Sequence, residues 1–301
     1  MKRIVLGIVF GVCGLLLALG SSCVGCRAAP ESAASRPAAQ GATQPADEDL
    51  VSRQELLSAL KAAPPAGKER REKMVELFKQ AGLKDVRRQE IEGLEGRFNV
   101  VATLEGKTGD VIVVGAHSDC SELGAGVIDN WSGACMLAKL AQVLSMRPRT
   151  CTFVFAAFDL EETGRIGSRY YVYKLTAQEQ KGIKAMVDLE CLGISRMKVW
   201  KNGSADDLER IAAQVAGRTS APLEFRTLRG ATTDSSSFMA AGIPAVTFDS
   251  LEMEDFHLID SQEDRFEAIK GETYYGHYRY VFEYLKALDA HTGKITAVNR
   301  E

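Results

Sequence analysis

Val111-Ile112-Val113-Val114-Gly115-Ala116-His117-Ser118-Asp119 and Thr152-Phe153-Val154-Phe155-Ala156-Ala157-Phe158-Asp159-Leu160-Glu161-Glu162 are two unbroken apolar runs, each ending in a polar cluster. Runs of this kind, with no polar residue alternating, belong to strands covered on both faces, as in parallel sheets. Ala185 to Leu189 and Ala245 to Phe248 repeat the pattern. Helical spacing joins Ala134, Leu137, Ala141 and Leu144 within residues 131–144, and Tyr274, Tyr278, Val281, Leu285 and Leu288 in the last helix. Two further helices open the domain. Leu50, Leu56, Leu57 and Leu60 mark the first; Met74, Leu77 and Phe78 mark the second, which stops at Gly82. Strands alternating with helices predict one three-layer αβα domain around a mostly parallel mixed sheet, spanning residues 49–290.

The flanks read differently. Lys2 and Arg3 precede an apolar run from Ile4 to Leu19, followed by Gly20, Ser21, Ser22 and Cys23. A positive start, a short apolar core and small residues make residues 1–26 an export signal. Cys23 and Cys26 are the two candidates for a membrane-anchoring lipid, so the expected location is the bacterial cell envelope. Residues 27–48 are rich in Ala, Pro, Ser and Gln and read as a flexible tether; residues 291–301 form a tail. A formal net charge of −3 and no basic cluster exclude a nucleic-acid binder. Cys120, Cys135, Cys151 and Cys191 fit no CxxC zinc spacing, and sequence cannot pair them.

The chemistry collects at the ends of the expected strands. The first runs into His117 and Asp119, the second into Glu161 and Glu162, the third into Glu190, and the fourth reaches His257 nine residues after Phe248. In open α/β sheets the carboxyl edge is where ligands bind. Imidazole and carboxylate suit zinc, which in catalytic sites takes three protein ligands and a water. Asp129 follows a glycine-containing loop and precedes a helix; it can cap that helix, or bridge two metals with its two oxygens. Asp119 can accept the free ring N–H of His117. His277 and His291 read as structural or solvated.

Together these residues resemble the co-catalytic zinc exopeptidases: aminopeptidase Y, the bacterial leucyl aminopeptidases, the glutamate carboxypeptidases and, more distantly, the glutaminyl cyclases. The resemblance rests on residues 113–119, on Gly126-Val127-Ile128-Asp129-Asn130-Trp131-Ser132-Gly133, and on Phe158 to Gly164 with Ile166-Gly167-Ser168. It rests also on Asp234 to Pro244, and on His257 with Asp260. It implies that His117 and Glu190 bind one zinc and that Asp129 bridges. Glu162 and His257 would hold a second zinc, and Glu161 would be the general base. Asp260 belongs to the supporting residues, while Arg165 and Asp234 would meet substrate. It also implies a cis peptide after Asp129. Two departures stand out: Glu190 falls where the family usually has Asp, and Asp234-Ser235 replaces a common Asp-His.

The implied activity is an aminopeptidase acting on peptides with two zinc ions, or with one if the Glu190 site stays empty. A carboxypeptidase or dipeptidase of the same family, a single-zinc glutaminyl cyclase and a metal-free binding module are the rivals. Zinc content separates the last from the enzymes.

Overall fold

The computed structural model describes residues 50–292. The signal, lipid and tether readings on residues 1–48 lie outside the described residues. Among the described residues no helix is long and apolar enough to cross a membrane.

The strands are β1 (Asp85–Glu90), β2 (Phe98–Leu104), β3 (Val111–His117), β4 (Thr152–Phe158), β5 (Ile183–Leu189), β6 (Met197–Trp200), β7 (Leu223–Arg226) and β8 (Ala245–Asp249). They form one sheet in the order β1-β2-β4-β3-β5-β8-β6-β7. β4, β3, β5 and β8 run parallel at its centre; β2 joins β4 antiparallel, and β6 joins β8 antiparallel. The parallel block comprises the four strands expected from sequence. The antiparallel flanks make the sheet mixed, as expected, but their strands were not located from the sequence.

Alternation along these strands divides the core in two. Ile112, Val114, Phe153 and Phe155 enter the larger apolar cluster, shared with helices α1 (Arg53–Lys61), α2 (Lys68–Gln80), α3 (Ser132–Ser145), α6 (Asp206–Thr219) and α8 (Gly271–His291). Val113, Val154, Ala156 and Phe158 enter the smaller one, with Tyr171 and Val172 of α4 (Ile166–Lys174) and Phe238 of α7 (Ser235–Ala240). A short helix, α5 (Ala177–Gly182), leads into β5. Two apolar faces on one strand are what make its sequence continuously apolar. The three layers match the expected architecture.

Boundaries moved modestly. Leu50 lies before α1, whose N-cap is Ser52, and α8 continues through His291. The four tyrosines facing inward from α8 do more than fill space. Tyr274, Tyr280 and Tyr284 donate their hydroxyls to the carbonyls of Ser132 (2.6 Å), Ala212 (2.8 Å) and Leu208 (3.1 Å), and Tyr278 accepts from the Val51 amide (3.4 Å). Cys120, Cys135, Cys151 and Cys191 are all free thiols.

Candidate metal and catalytic site

β3 and β4 pair in parallel with His117 beside Phe158, so the two loops leaving their carboxyl ends start side by side. The Asp119 carboxylate ties them together by accepting from the amides of Glu161 (3.1 Å) and Glu162 (3.2 Å). His117 Nδ1 lies 3.2 Å from the Asp119 carbonyl oxygen and 3.4 Å from its carboxylate. The carbonyl is therefore the nearer partner for the ring N–H expected to meet the carboxylate. Either partner holds the proton on Nδ1 and leaves the Nε2 lone pair free for a metal.

The β4–α4 loop is tightly wound. Gly164 and Arg165 both donate their amides to the Glu161 carbonyl (2.8 Å each), with Leu160 and Arg165 in the left-handed region. Gly167 packs so closely that a Cβ there would lie 2.3 Å from the Asp159 carbonyl oxygen, so no larger residue fits without a backbone shift. Asp159 is buried beneath the loop, with Arg97 Nε at 2.9 Å and Arg71 at 3.4 Å.

Asp129 arrives from the loop between β3 and α3. Its oxygen Oδ1 lies 3.0 Å from His117 Nε2, and the Asp129–Asn130 peptide is cis. Asp264 holds this loop from below by accepting the amides of Ile128 (2.6 Å) and Asp129 (3.3 Å). The buried Arg70 guanidinium caps it by donating to the carbonyls of Ala125 and Gly126 and lying over Trp131. Asn130 fills all its hydrogen-bonding capacity. Its Nδ2 donates to Leu189 O (2.7 Å) and Glu190 (3.1 Å), and its Oδ1 accepts from the amides of Gly133 (3.0 Å) and Cys191 (3.1 Å).

Glu190 leaves β5 with Oε2 at 3.5 Å from His117 Nε2 and Oε1 at 2.5 Å from the Thr233 hydroxyl. His117, Asp129 and Glu162 each offer a ligand atom within 4.8 Å of the others; so do Asp129, Glu190 and Cys191, and so do Asp188, Glu190 and Asp234. Asp129 is common to the first two groups, and Glu190 to the last two.

His257 is not brought into these groups. It is exposed, with Nδ1 against the Glu254 carbonyl (2.5 Å) and Nε2 3.7 Å from Glu263, in a short turn after β8. Asp260, also exposed, is near enough to raise the Glu162 carboxyl. Asp234 was expected to meet substrate. Its side chain is completely buried, and neither carboxylate oxygen has a hydrogen-bond partner among the described residues. Arg165 acts through its backbone at the start of α4, accepting from Arg169 N and the Ser168 hydroxyl.

The electrostatics are one-sided. Burial first, then Glu190, Asp129 and Asp119 acting against the pull of His117, bring Glu161 up to about 7. Burial, then Asp129, carries Glu162 up to about 8. Burial and Glu190 raise Asp188 well above the carboxylate range; burial and Asp188 do the same to Asp234. Burial alone would lower His117, but Glu190, Asp119 and Asp129 raise it well above its ordinary value. Carboxylates this crowded need cations, and a divalent ion supplies the field they lack. The nitrogen and oxygen donor set fits zinc.

Sequence reasoning missed Asn130, Asp264, Arg70, Thr233, Asp188 and the Arg71–Arg97–Asp159 anchor. Only Asn130 carried a signal, its place directly after the bridging candidate.

A three-layer αβα chain with a carboxylate-rich metal centre on the carboxyl edge of its sheet is the class that fold and site define. The chain belongs to peptidase family M28, whose pattern matches residues 99–285. An aminopeptidase from Pseudomonas aeruginosa is 37% identical over 97 residues, 32% of this chain and 18% of that protein. The structure of a zinc aminopeptidase from Bacillus subtilis superposes with a TM-score of 0.58 at 25% identity, covering 62% of this chain and 49% of the other. The glutaminyl cyclase of Porphyromonas gingivalis shares the fold, with a TM-score of 0.67 at 17% identity over 79% of this chain and 99% of that one. The match thus spans half or less of these two aminopeptidases. The family relationship implies zinc.

Proposed function

We propose that the protein is a zinc-dependent aminopeptidase that removes N-terminal residues from peptides. The observation that carries the reading is the placement of Glu161. It is half-buried, its carboxyl feels the charges of His117, Glu190, Asp129 and Asp119, and its neighbour Glu162 offers an oxygen to the His117–Asp129 group. Names of relatives support peptides as substrates and the amino terminus as the point of attack.

His117, Asp129, Glu162 and Glu190 would hold the metal, and the sharing of Asp129 between two donor groups favours two ions. Zinc bound there supplies a water whose pKa falls from about 15.7 toward about 7. Glu161 would be the residue that accepts a proton from the attacking water and passes it to the departing amine. Burial raises this carboxyl, the direction that suits a group that both accepts and gives a proton near neutral pH. Asp119 holds the Glu161 amide, and the Gly164 and Arg165 amides hold its carbonyl, so the Glu161 backbone is tied at both groups.

The test is Glu161→Gln. It should keep its zinc and lose about 100-fold or more in kcat on aminoacyl-anilides. Normal turnover at unchanged zinc content removes Glu161 from the role of base. N-blocked dipeptides and N-terminal Gln peptides, run beside the anilides, separate carboxypeptidase and cyclase activity from the proposed one. His257 as a second-ion ligand is part of the same proposal. Elemental analysis of His257→Ala should show less zinc than the parent protein, and equal content excludes His257. We also propose export and lipid attachment at Cys23 or Cys26, which mass spectrometry of the N-terminal peptide from the membrane fraction would show or refute.

A further inference from the structure

We infer that Cys191 is a thiolate ligand of the metal held by Asp129 and Glu190. This inference rests on the metallopeptidase reading and makes one of its two ion sites a mixed sulfur and oxygen centre.

Three observations place the thiol there. The Cys191 sulfur lies within 4.8 Å of a ligand oxygen of Asp129 and of Glu190, which themselves meet the same limit. The residue is only 6% exposed, so its thiol is shut away from solvent. Its other neighbours are the apolar side chains of Ile128, Ile194 and Leu251, so the acids are the polar direction open to it. Finally, its backbone is fixed from both ends. The amide donates to Asn130 Oδ1 (3.1 Å), and the carbonyl accepts from the Ser250 hydroxyl (2.7 Å). Those bonds hold it at φ 45°, a left-handed conformation that few side chains adopt and that fixes where the thiol points.

The donor types agree with the ion. Zinc takes thiolate sulfur at about 2.3 Å alongside carboxylate oxygen at about 2.0–2.2 Å. At the ion shared by Asp129 and Glu190, Cys191 would be a further ligand beside His117, whose Nε2 lies 3.5 Å from Glu190; Asp129 and Glu162, with His257 as proposed above, would hold its neighbour. Coordination releases the thiol proton to solvent and leaves no electron unbalanced. The substitution of Glu for the family's usual Asp at residue 190 fits the same picture, because a longer arm can place its oxygens where a sulfur ligand, with its longer bond, draws the ion.

The experiment uses the full chain loaded with cobalt in place of zinc. Wild-type protein should show near-ultraviolet thiolate-to-cobalt charge-transfer absorption. Cys191→Ser should lose that absorption and bind zinc about 10- to 100-fold more weakly, while Cys120→Ser, altered at a thiol in the neighbouring loop, keeps it. Cobalt bound to wild type without the band overturns the role of Cys191 and leaves the metal site standing. Absence of any cobalt or zinc binding overturns both. A band retained in Cys191→Ser or lost in Cys120→Ser also overturns the assignment. Should Cys191→Ser fail to fold, X-ray absorption of zinc-loaded wild type decides alone: a sulfur neighbour near 2.3 Å supports the inference, and a shell of nitrogen and oxygen only defeats it.

Discussion

Replacing Asn130 with alanine should unsettle the site and the sheet beneath it at once. The amide of Asn130 holds four polar groups that have come together from α3 and the end of β5: Leu189 O, the Glu190 carboxylate, Gly133 N and Cys191 N. Asn130 is fully buried, so water cannot replace it without entering the core. A buried polar group left without a partner costs about 1–3 kcal/mol. The two orphaned amides alone set a loss of about 2–6 kcal/mol, and Glu190 loses its neutral donor besides. A total near 3–5 kcal/mol would remove much of the about 5–15 kcal/mol that a domain usually has. Urea unfolding of the metal-free protein measures it. Trp131, one of two tryptophans, lies directly after Asn130 and reports the transition by fluorescence. Asn130→Asp is the companion. It keeps the oxygen that accepts the two amides but turns another oxygen toward Leu189 O and Glu190, so it should be weakest at neutral pH and recover as the solution is acidified. Asn130→Ala unfolding within about 0.5 kcal/mol of the parent would refute the reasoning.

Two other outcomes follow from groups already described. His277 is buried, accepts from Gly193 N, and is pushed down to about 3 mainly by burial. Its folded pKa lies below the unfolded value of 6.5, so it contributes stability above pH 6.5 that is lost as pH falls toward 3, at about 1.4 kcal/mol per pH unit. Denaturant midpoints from pH 7 to 4.5 should fall more steeply in wild type than in His277→Leu, and parallel curves would exclude the effect. Zinc at 100 times its dissociation constant should stabilise the fold by about 2.7 kcal/mol, read as a thermal shift that His117→Ala abolishes; an equal shift in that variant would place the ion elsewhere.

The parallel centre of the sheet was legible because its strands are covered twice. Val113 faces one core and Val114 the other, and the sequence records that as an uninterrupted run. The flanks gave no such record. β1 reads Asp85-Val86-Arg87-Arg88-Gln89-Glu90, a charged edge that discourages further pairing. β6 carries Lys198, buried with its ammonium on Glu252, and short β7 is only half-covered. The site shows the same division. His117, Glu161, Glu162 and Glu190 could be read from strand ends because parallel register brings those ends together. His257 follows β8 through a loop and a tight turn, where distance along the chain says nothing about where a ring points. Asp264 was invisible because it acts on amides 135 and 136 residues away, through bonds that no local pattern encodes.

The tyrosines of α8 carry a consequence for biosynthesis. Their hydroxyls close carbonyls at Ser132, Ala212 and Leu208, and one receives the amide of Val51. Every one of those partners emerges from the ribosome before Tyr274 does. Until residues 274–284 are made, α3, α6 and the start of the domain lack these tyrosine hydroxyls and keep an uncovered apolar face, so this layer cannot be completed before α8 has been synthesised. A nascent chain stalled short of residue 274 would present that face to chaperones and proteases, although His117, Asp129, Glu162 and Glu190 had all been made.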